Sequence, residues 1–165
     1  MTRLLGIDLG ERRIGLALAD GDGSRARPFQ TIRRHSTPAD DAGALAPIVA
    51  ANEVRELVVG LPLEASGVHG RQAELTETWA SEIAAALELP MTMRDERLTS
   101  HLAEERLGPM KRGRSGGPPT RAQREAYRAR VDREAAAIIL QDELDARAAV
   151  QYPSPAGPPG TETSP

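Results

Sequence analysis

The hydrophobic pattern changes rhythm several times along the chain. Short apolar runs come first. Residues 3–9 (RLLGIDL) and 13–19 (RIGLALA) read as strands, and the GERR stretch between them reads as a hairpin turn that opens on a glycine. PFQTIRR at 28–34 offers a third strand. The spacing then turns helical in STPADDAGALAPIVAANE, with Ser36 or Thr37 as cap and Pro38 in the first turn, while Gly43 and Pro47 leave its limits open. ELVVGLP at 56–62 has the continuous apolar character of a buried parallel strand. RQAELTETWASEIAAALEL at 71–89 predicts an amphipathic helix, with Leu75, Trp79, Ile83 and Leu87 at four-residue intervals. PMTMRDE at 90–96 reads as a strand, and TSHLAEERL at 99–107 as a helix capped by Thr99 or Ser100. From 108 to 128 the periodicity breaks. GPMKRGRSGGPPTRAQR mixes Gly, Pro and Arg and predicts a flexible loop or flap. A last helix over roughly 130–148 carries Ala135, Ile138, Ile139, Leu140 and Leu144 on its apolar side.

The predicted order is β-β-β-α-β-α-β-α-loop-α. An antiparallel opening followed by alternating βα units implies an α/β fold, with a mixed five-stranded sheet flanked by helices. Residues 1–149 form one domain. The tail from 150 to 165 carries five prolines and little to bury, and reads as disordered.

Composition narrows the chemistry. Cysteine is absent, which removes disulfides, thiol catalysis and cysteine-bound zinc. The three histidines, His35, His69 and His101, fall in separate segments without metal-ligand spacing. No apolar stretch approaches the ~18 residues of a membrane span, and no basic-then-apolar leader opens the chain, so the expected setting is cytoplasmic. The formal net charge of −3 gives no global attraction to nucleic acid, but its distribution does. Lys111, Arg112, Arg114, Arg121, Arg124, Arg128 and Arg130 crowd one segment against a single acid, Glu125.

Three acids then stand out. Asp8 sits between Ile7 and Leu9 in an apolar strand, where an unpaired carboxylate costs several kcal/mol. Something must offset that cost: an arginine such as Arg12 or Arg13, a divalent metal, or a turn that the carboxylate caps, and the glycines at 6 and 10 leave room for a bulky ligand. Asp95 and Glu96 close a later strand and point to opposite faces, so only one of them can join Asp8. Asp132 shares a helical face with Ala135, Ala136 and Ile139 and is carried toward the sheet. Alternatively it caps that helix and complements its dipole. Three carboxylates can hold one or two Mg²⁺ or Mn²⁺ ions, because hard cations prefer oxygen. Such ions promote phosphodiester cleavage.

The blocks GIDLGERRIGLALAD, VVGLPLEASG, DERLTS and VDREAAAIIL, in this order and spacing over roughly residues 3–145, resemble those of the YqgF or RuvX-type family. Its members are described as pre-16S rRNA nucleases or Holliday junction resolvase-like proteins. The resemblance implies a ribonuclease H-like fold and a metal-dependent nuclease site with Mg²⁺ or Mn²⁺. It assigns Asp8, Glu96 and Asp132 as the catalytic and metal-binding acids, and it is the resemblance that selects Glu96 over Asp95.

Arg97, Lys111, Arg112, Arg114 and Arg121 are the candidate substrate-binding residues, contacting phosphates without reading sequence. The loop LEASGVHG offers backbone N–H groups near Gly67 to Arg71 for a phosphate, or simply a turn that needs glycine. The expected partner is structured RNA or branched DNA and no membrane. A homodimer suits symmetric cuts in branched DNA, and a monomer suits single cuts in RNA. Two competing readings remain. A phosphotransferase would need a second domain and a GxxxxGK[ST] loop, and the chain has neither. A non-catalytic nucleic-acid-binding factor in transcription or ribosome assembly is the alternative to the nuclease.

Overall fold

A computed structural model describes residues 2–113 and 115–153; Arg114 and residues 154–165 of the proline-rich tail lie outside them. Three strands open the fold: β1 (Arg3–Leu9), β2 (Arg13–Asp20) and β3 (Arg27–Arg33). They are followed by α1 (Pro38–Ala51), β4 (Val54–Leu61), α2 (Arg71–Leu87), β5 (Met91–Asp95), α3 (Thr99–Leu107) and α4 (Arg121–Gln151). The five strands form one sheet in the order β3-β2-β1-β4-β5. β2 is antiparallel to both of its neighbours, whereas β1, β4 and β5 run parallel. The apolar β1 and β4 are central, which fits their burial on both faces.

Side-chain alternation divides the core. Leu5, Ile7, Leu16, Leu57 and Val59 face α1 and α2, where they meet Leu45, Trp79, Ala80 and Ile83. Leu4, Ala17, Ala19 and Val58 face α4 and meet Ala136, Ile139 and Leu140. The sheet residues on this second face are small. A Cβ on Gly6 would come within 2.8 Å of the Ala136 carbonyl oxygen and the Leu140 Cβ, so α4 lies almost directly on β1. The room predicted for a ligand beside Gly6 is therefore taken up by a helix, and Gly10 serves the tight turn in which its N–H donates to the Arg13 carbonyl at 2.9 Å.

Three local expectations need correction. α4 starts at Arg121, so Arg121, Arg124 and Arg128 are helical and the loop shrinks to the residues between α3 and Thr120. A capping box fixes this start: the Thr120 hydroxyl accepts from Gln123 N–H, and the Gln123 side chain accepts from Thr120 N–H. α3 begins after Leu98, a left-handed residue, with no side-chain cap from Thr99 or Ser100. Leu75 is exposed, since strict four-residue spacing drifts off a face of 3.6-residue period, while Trp79 and Ile83 remain buried. Thr37 does cap α1, with Pro38 in its first turn. Among the described residues no helix is long and apolar enough to cross a membrane.

Candidate active site

Asp8 lies near the end of β1, on the face that carries α4. Beside it in the antiparallel ladder is Gly15 of β2. On the other side, the register places Gly6 beside Val58 and Ile7 beside Val59, which brings Asp8 level with Gly60 of β4. The acid is thus flanked by two residues without side chains, and both gaps are filled. A Cβ on Gly15 would lie 2.0 Å from the Asp132 carbonyl oxygen, so the α4 backbone rests on β2 at that point. A Cβ on Gly60 would lie 2.1 Å from Glu96 Oε2, so the Glu96 carboxyl occupies the space above β4. Glycine at these two positions lets elements distant in sequence converge on Asp8. Their sequence signal is an isolated Gly within an apolar strand, which marks close backbone approach. Sequence reasoning missed both residues.

Register also separates Asp95 from Glu96. Met91 and Met93 of β5 pack on the α1–α2 side. Glu96, whose N–H donates to the Leu61 carbonyl at 3.1 Å and extends the β4–β5 ladder by one step, falls on the opposite face with Asp8. Asp95 is exposed. It accepts from Arg97 N–H at 2.9 Å and from its Nε at 2.8 Å, and Arg97 beside it holds its carboxyl below the usual range.

The two apposed carboxyls are electrostatically unusual. Burial, the Asp8 charge and a carboxyl–carboxyl hydrogen bond push Glu96 up to about 8. Burial and the charge of Asp132 push Asp8 up to about 6, against the opposing effect of the hydrogen bond with Glu96. One proton between the two satisfies the pair near neutral pH, because two carboxylates in contact do not ionise together. Glu96 Oε2 remains buried and, among the described residues, accepts from no N–H or hydroxyl donor. Hard oxygen donors, one of them orphaned, form a set suited to a divalent cation such as Mg²⁺ or Mn²⁺.

Asp132 comes near enough to raise Asp8, but its carboxylate is turned onto Arg13, whose Nε donates to Oδ2 at 2.6 Å. Among the described residues no three His, Cys, Asp or Glu side chains gather closely enough to enclose an ion. Two of the three acids are therefore in contact, and the third stands at the rim, neutralised by an arginine. Arg13 pairs with Asp132 across 119 positions of chain, rather than with Asp8.

The remaining candidates are dispersed. Lys111 and Arg112 lie in the loop between α3 and α4, where Arg112 reaches the Gly116 carbonyl at 3.5 Å. Arg121 pairs with Glu125 one turn on. Arg114 lies outside the described residues. In the loop after β4, Gly67 adopts a positive φ of 84° with the Arg97 guanidinium close by. The histidines pair with Asp41, Glu77 and Glu105, away from the acids.

Comparisons with known proteins bear on the family and the fold. A family model described as "RuvX: Holliday junction resolvase" matches residues 2–146. A relative from Anaeromyxobacter sp. (strain K) is 45% identical over 146 residues, covering 88% of this chain and 98% of its own. One from Chloroflexus aggregans is 42% identical over 144 residues, covering 87% and 94%. One from Acaryochloris marina is 45% identical over 141 residues, covering 86% and 90%. All three carry the name "Putative pre-16S rRNA nuclease". Among solved structures, RuvC from T. thermophilus in complex with its Holliday junction substrate superposes with a TM-score of 0.52 at 13% identity, covering 90% of this chain and 97% of that one. The fold is thus the ribonuclease H-like fold of RuvC. With most of its length matched by the family model and by these relatives, the chain belongs to the RuvX family.

Proposed function

We propose that this protein is a divalent-metal-dependent endonuclease acting on structured nucleic acid, with 5′ processing of precursor 16S ribosomal RNA as its leading task and cleavage of branched DNA as a second. The observation that carries this reading is the apposed Asp8–Glu96 pair, with a buried Glu96 oxygen that no N–H or hydroxyl donor meets among the described residues. The names of the relatives supply the RNA substrate.

Asp8, Glu96 and Asp132 would hold Mg²⁺ or Mn²⁺. Such an ion favours hydroxide over water near neutral pH and neutralises the charge that builds on the phosphate. The protein's own residues do the rest. Asp8 is fixed by a central strand and supplies the least mobile carboxylate. Glu96 gives up the proton it shares with Asp8. Asp132 turns from Arg13 toward the acids. Lys111, Arg112, Arg114 and Arg121 hold the substrate backbone without reading its sequence. Arg97 spends both Nε and Nη2 on Asp95 and is left out of that set, whereas Arg121 spends only Nε on Glu125. A monomer suffices for single cuts in RNA, and a homodimer suits paired cuts in branched DNA. A ribosomal precursor as substrate implies a cytoplasmic setting.

The test is a cleavage panel of precursor ribosomal RNA, four-way DNA junctions and single strands, each with Mg²⁺ and with Mn²⁺, for the wild type and Asp8→Asn. Cleavage by the wild type alone is the expected result. Equal behaviour of the two proteins on every substrate, with retained binding, would make the chain a non-catalytic nucleic-acid-binding factor.

A further inference from the structure

Cations around the acid site are distributed unevenly. On the β5 side each arginine is already engaged. Arg97 donates from both Nε and Nη2 to Asp95 at 2.8 Å, and Arg94 meets Glu143 at 3.5 Å. On the β2 side a cleft of about 460 Å³ opens between the β1–β2 turn and α4, lined by Gly10, Glu11, Arg12, Arg13, Arg128 and Asp132. Arg12 and Arg128 are exposed, and neither pairs with a carboxylate among the described residues. Arg13 spends only Nε on Asp132, which leaves its two Nη groups for another acceptor.

The cleft is rigidly framed. The Thr31 hydroxyl of β3 donates to the Ala129 carbonyl at 2.6 Å, and the Asp132 carbonyl rests on Gly15. The turn of α4 that directly follows Arg128 is therefore anchored to the sheet at both ends. Three guanidinium groups face two carboxylates, Glu11 and Asp132, and the charge of Asp132 is already met by Arg13.

We infer that this cleft holds the phosphodiester backbone next to the scissile bond, with Arg12, Arg13 and Arg128 as its phosphate contacts. The bound strand then leaves the acids toward β2 and the N-terminal half of α4, not toward β5. This inference rests on the nuclease reading and specifies where its substrate lies. Planar guanidinium groups suit phosphate oxygens. Arg13, released as Asp132 turns toward the other acids, takes the phosphate in its place, which ties the third acid to the position of the strand.

The experiment measures binding of a fluorescein-labelled RNA hairpin with a single-stranded 5′ extension, in EDTA, over a range of salt concentrations. Circular dichroism confirms the fold of each variant. Each phosphate contact contributes about 0.7 to 0.9 to the slope of log affinity against log salt. Arg12→Ala and Arg128→Ala each lower the slope by about that amount, and the double variant by roughly twice as much. Arg97→Ala leaves it at the wild-type value. A wild-type slope in the folded double variant, or an equal loss in Arg97→Ala, overturns the inference. Cleavage by the wild type in Mg²⁺ is scored separately. An active wild type with an insensitive double variant sinks the cleft alone, while an inactive wild type sinks the nuclease reading.

Discussion

A carboxylate in the middle of an apolar strand is the residue on which the proposed chemistry turns. Its neighbours explain how the fold tolerates it: no side chain at Gly15 or Gly60 crowds Asp8, and Glu96 shares a proton with it. Asp8→Asn removes one charge and one proposed cation ligand with little change in volume. Metal-dependent cleavage is expected to fall by about three orders of magnitude or more, the equivalent of several kcal/mol of lost charge stabilisation. Metal-free thermal stability is expected to hold or rise, because a repulsive partner of Glu96 and Asp132 disappears. Loss of activity accompanied by a lower melting temperature would point to a structural defect instead. Asp8 and Asp132 were legible as unusual acids from their settings alone. The choice between Asp95 and Glu96 was not, because it depends on the facing strand's register, which no local pattern encodes. Nor was the Arg13–Asp132 pair, whose members stand 119 residues apart.

At the scale of elements, helix α4 decides whether the acids meet. It lies on a floor of Gly6, Gly15, Ala17 and Ala19, and the closest approach is the Asp132 carbonyl over Gly15. Gly15→Ala would drive a methyl group into that backbone atom. A loss of about 3 kcal/mol or more is expected, above the ordinary cost of overpacking because no flexible side chain can yield. Gly60→Ala meets the far end of the Glu96 side chain together with the Ile139 Cδ1. Those groups can move, so about 1–3 kcal/mol is expected, with a larger proportional loss of cleavage as the carboxyl is pushed from Asp8. Urea melts and cleavage rates on the two variants separate these outcomes. Strong apolar periodicity made the order of strands and helices readable. The start of α4 was misjudged because consecutive prolines and a run of arginines masked a Thr120–Gln123 capping box, a signal of three-residue spacing that the sequence did contain. The seat of α4 was harder to see, since small residues carry little hydrophobic signal.

For the whole molecule, the acid pair couples folding to protons and, in the proposed site, to metal. Asp8 and Glu96 titrate at about 6 and 8 in the fold, against 3.8 and 4.5 as ordinary values. Between roughly pH 4 and pH 8 the folded chain therefore binds more protons than the unfolded one, and metal-free stability falls as pH rises through that window. Glu56 has the opposite sign: its hydrogen bonds from Arg147 hold it below its ordinary value, so the stability it contributes is lost only as pH falls below about 4.5. The two effects occupy different pH ranges and can be read apart. In EDTA, the melting temperature at pH 8 is expected to lie about 5–10 °C below that at pH 5.5, corresponding to on the order of a few kcal/mol for a chain of this size. In the proposed site a divalent cation would take the place of the shared proton, so added Mg²⁺ should raise the melting temperature more at pH 8 than at pH 5.5. Glu96→Gln carries no titrating group at that position, and should flatten the EDTA profile and reduce the Mg²⁺ shift together. A Glu96→Gln protein that kept the full pH slope would place the titration elsewhere in the fold. Differential scanning fluorimetry at the two pH values, with and without Mg²⁺, measures all of these quantities on one pair of proteins.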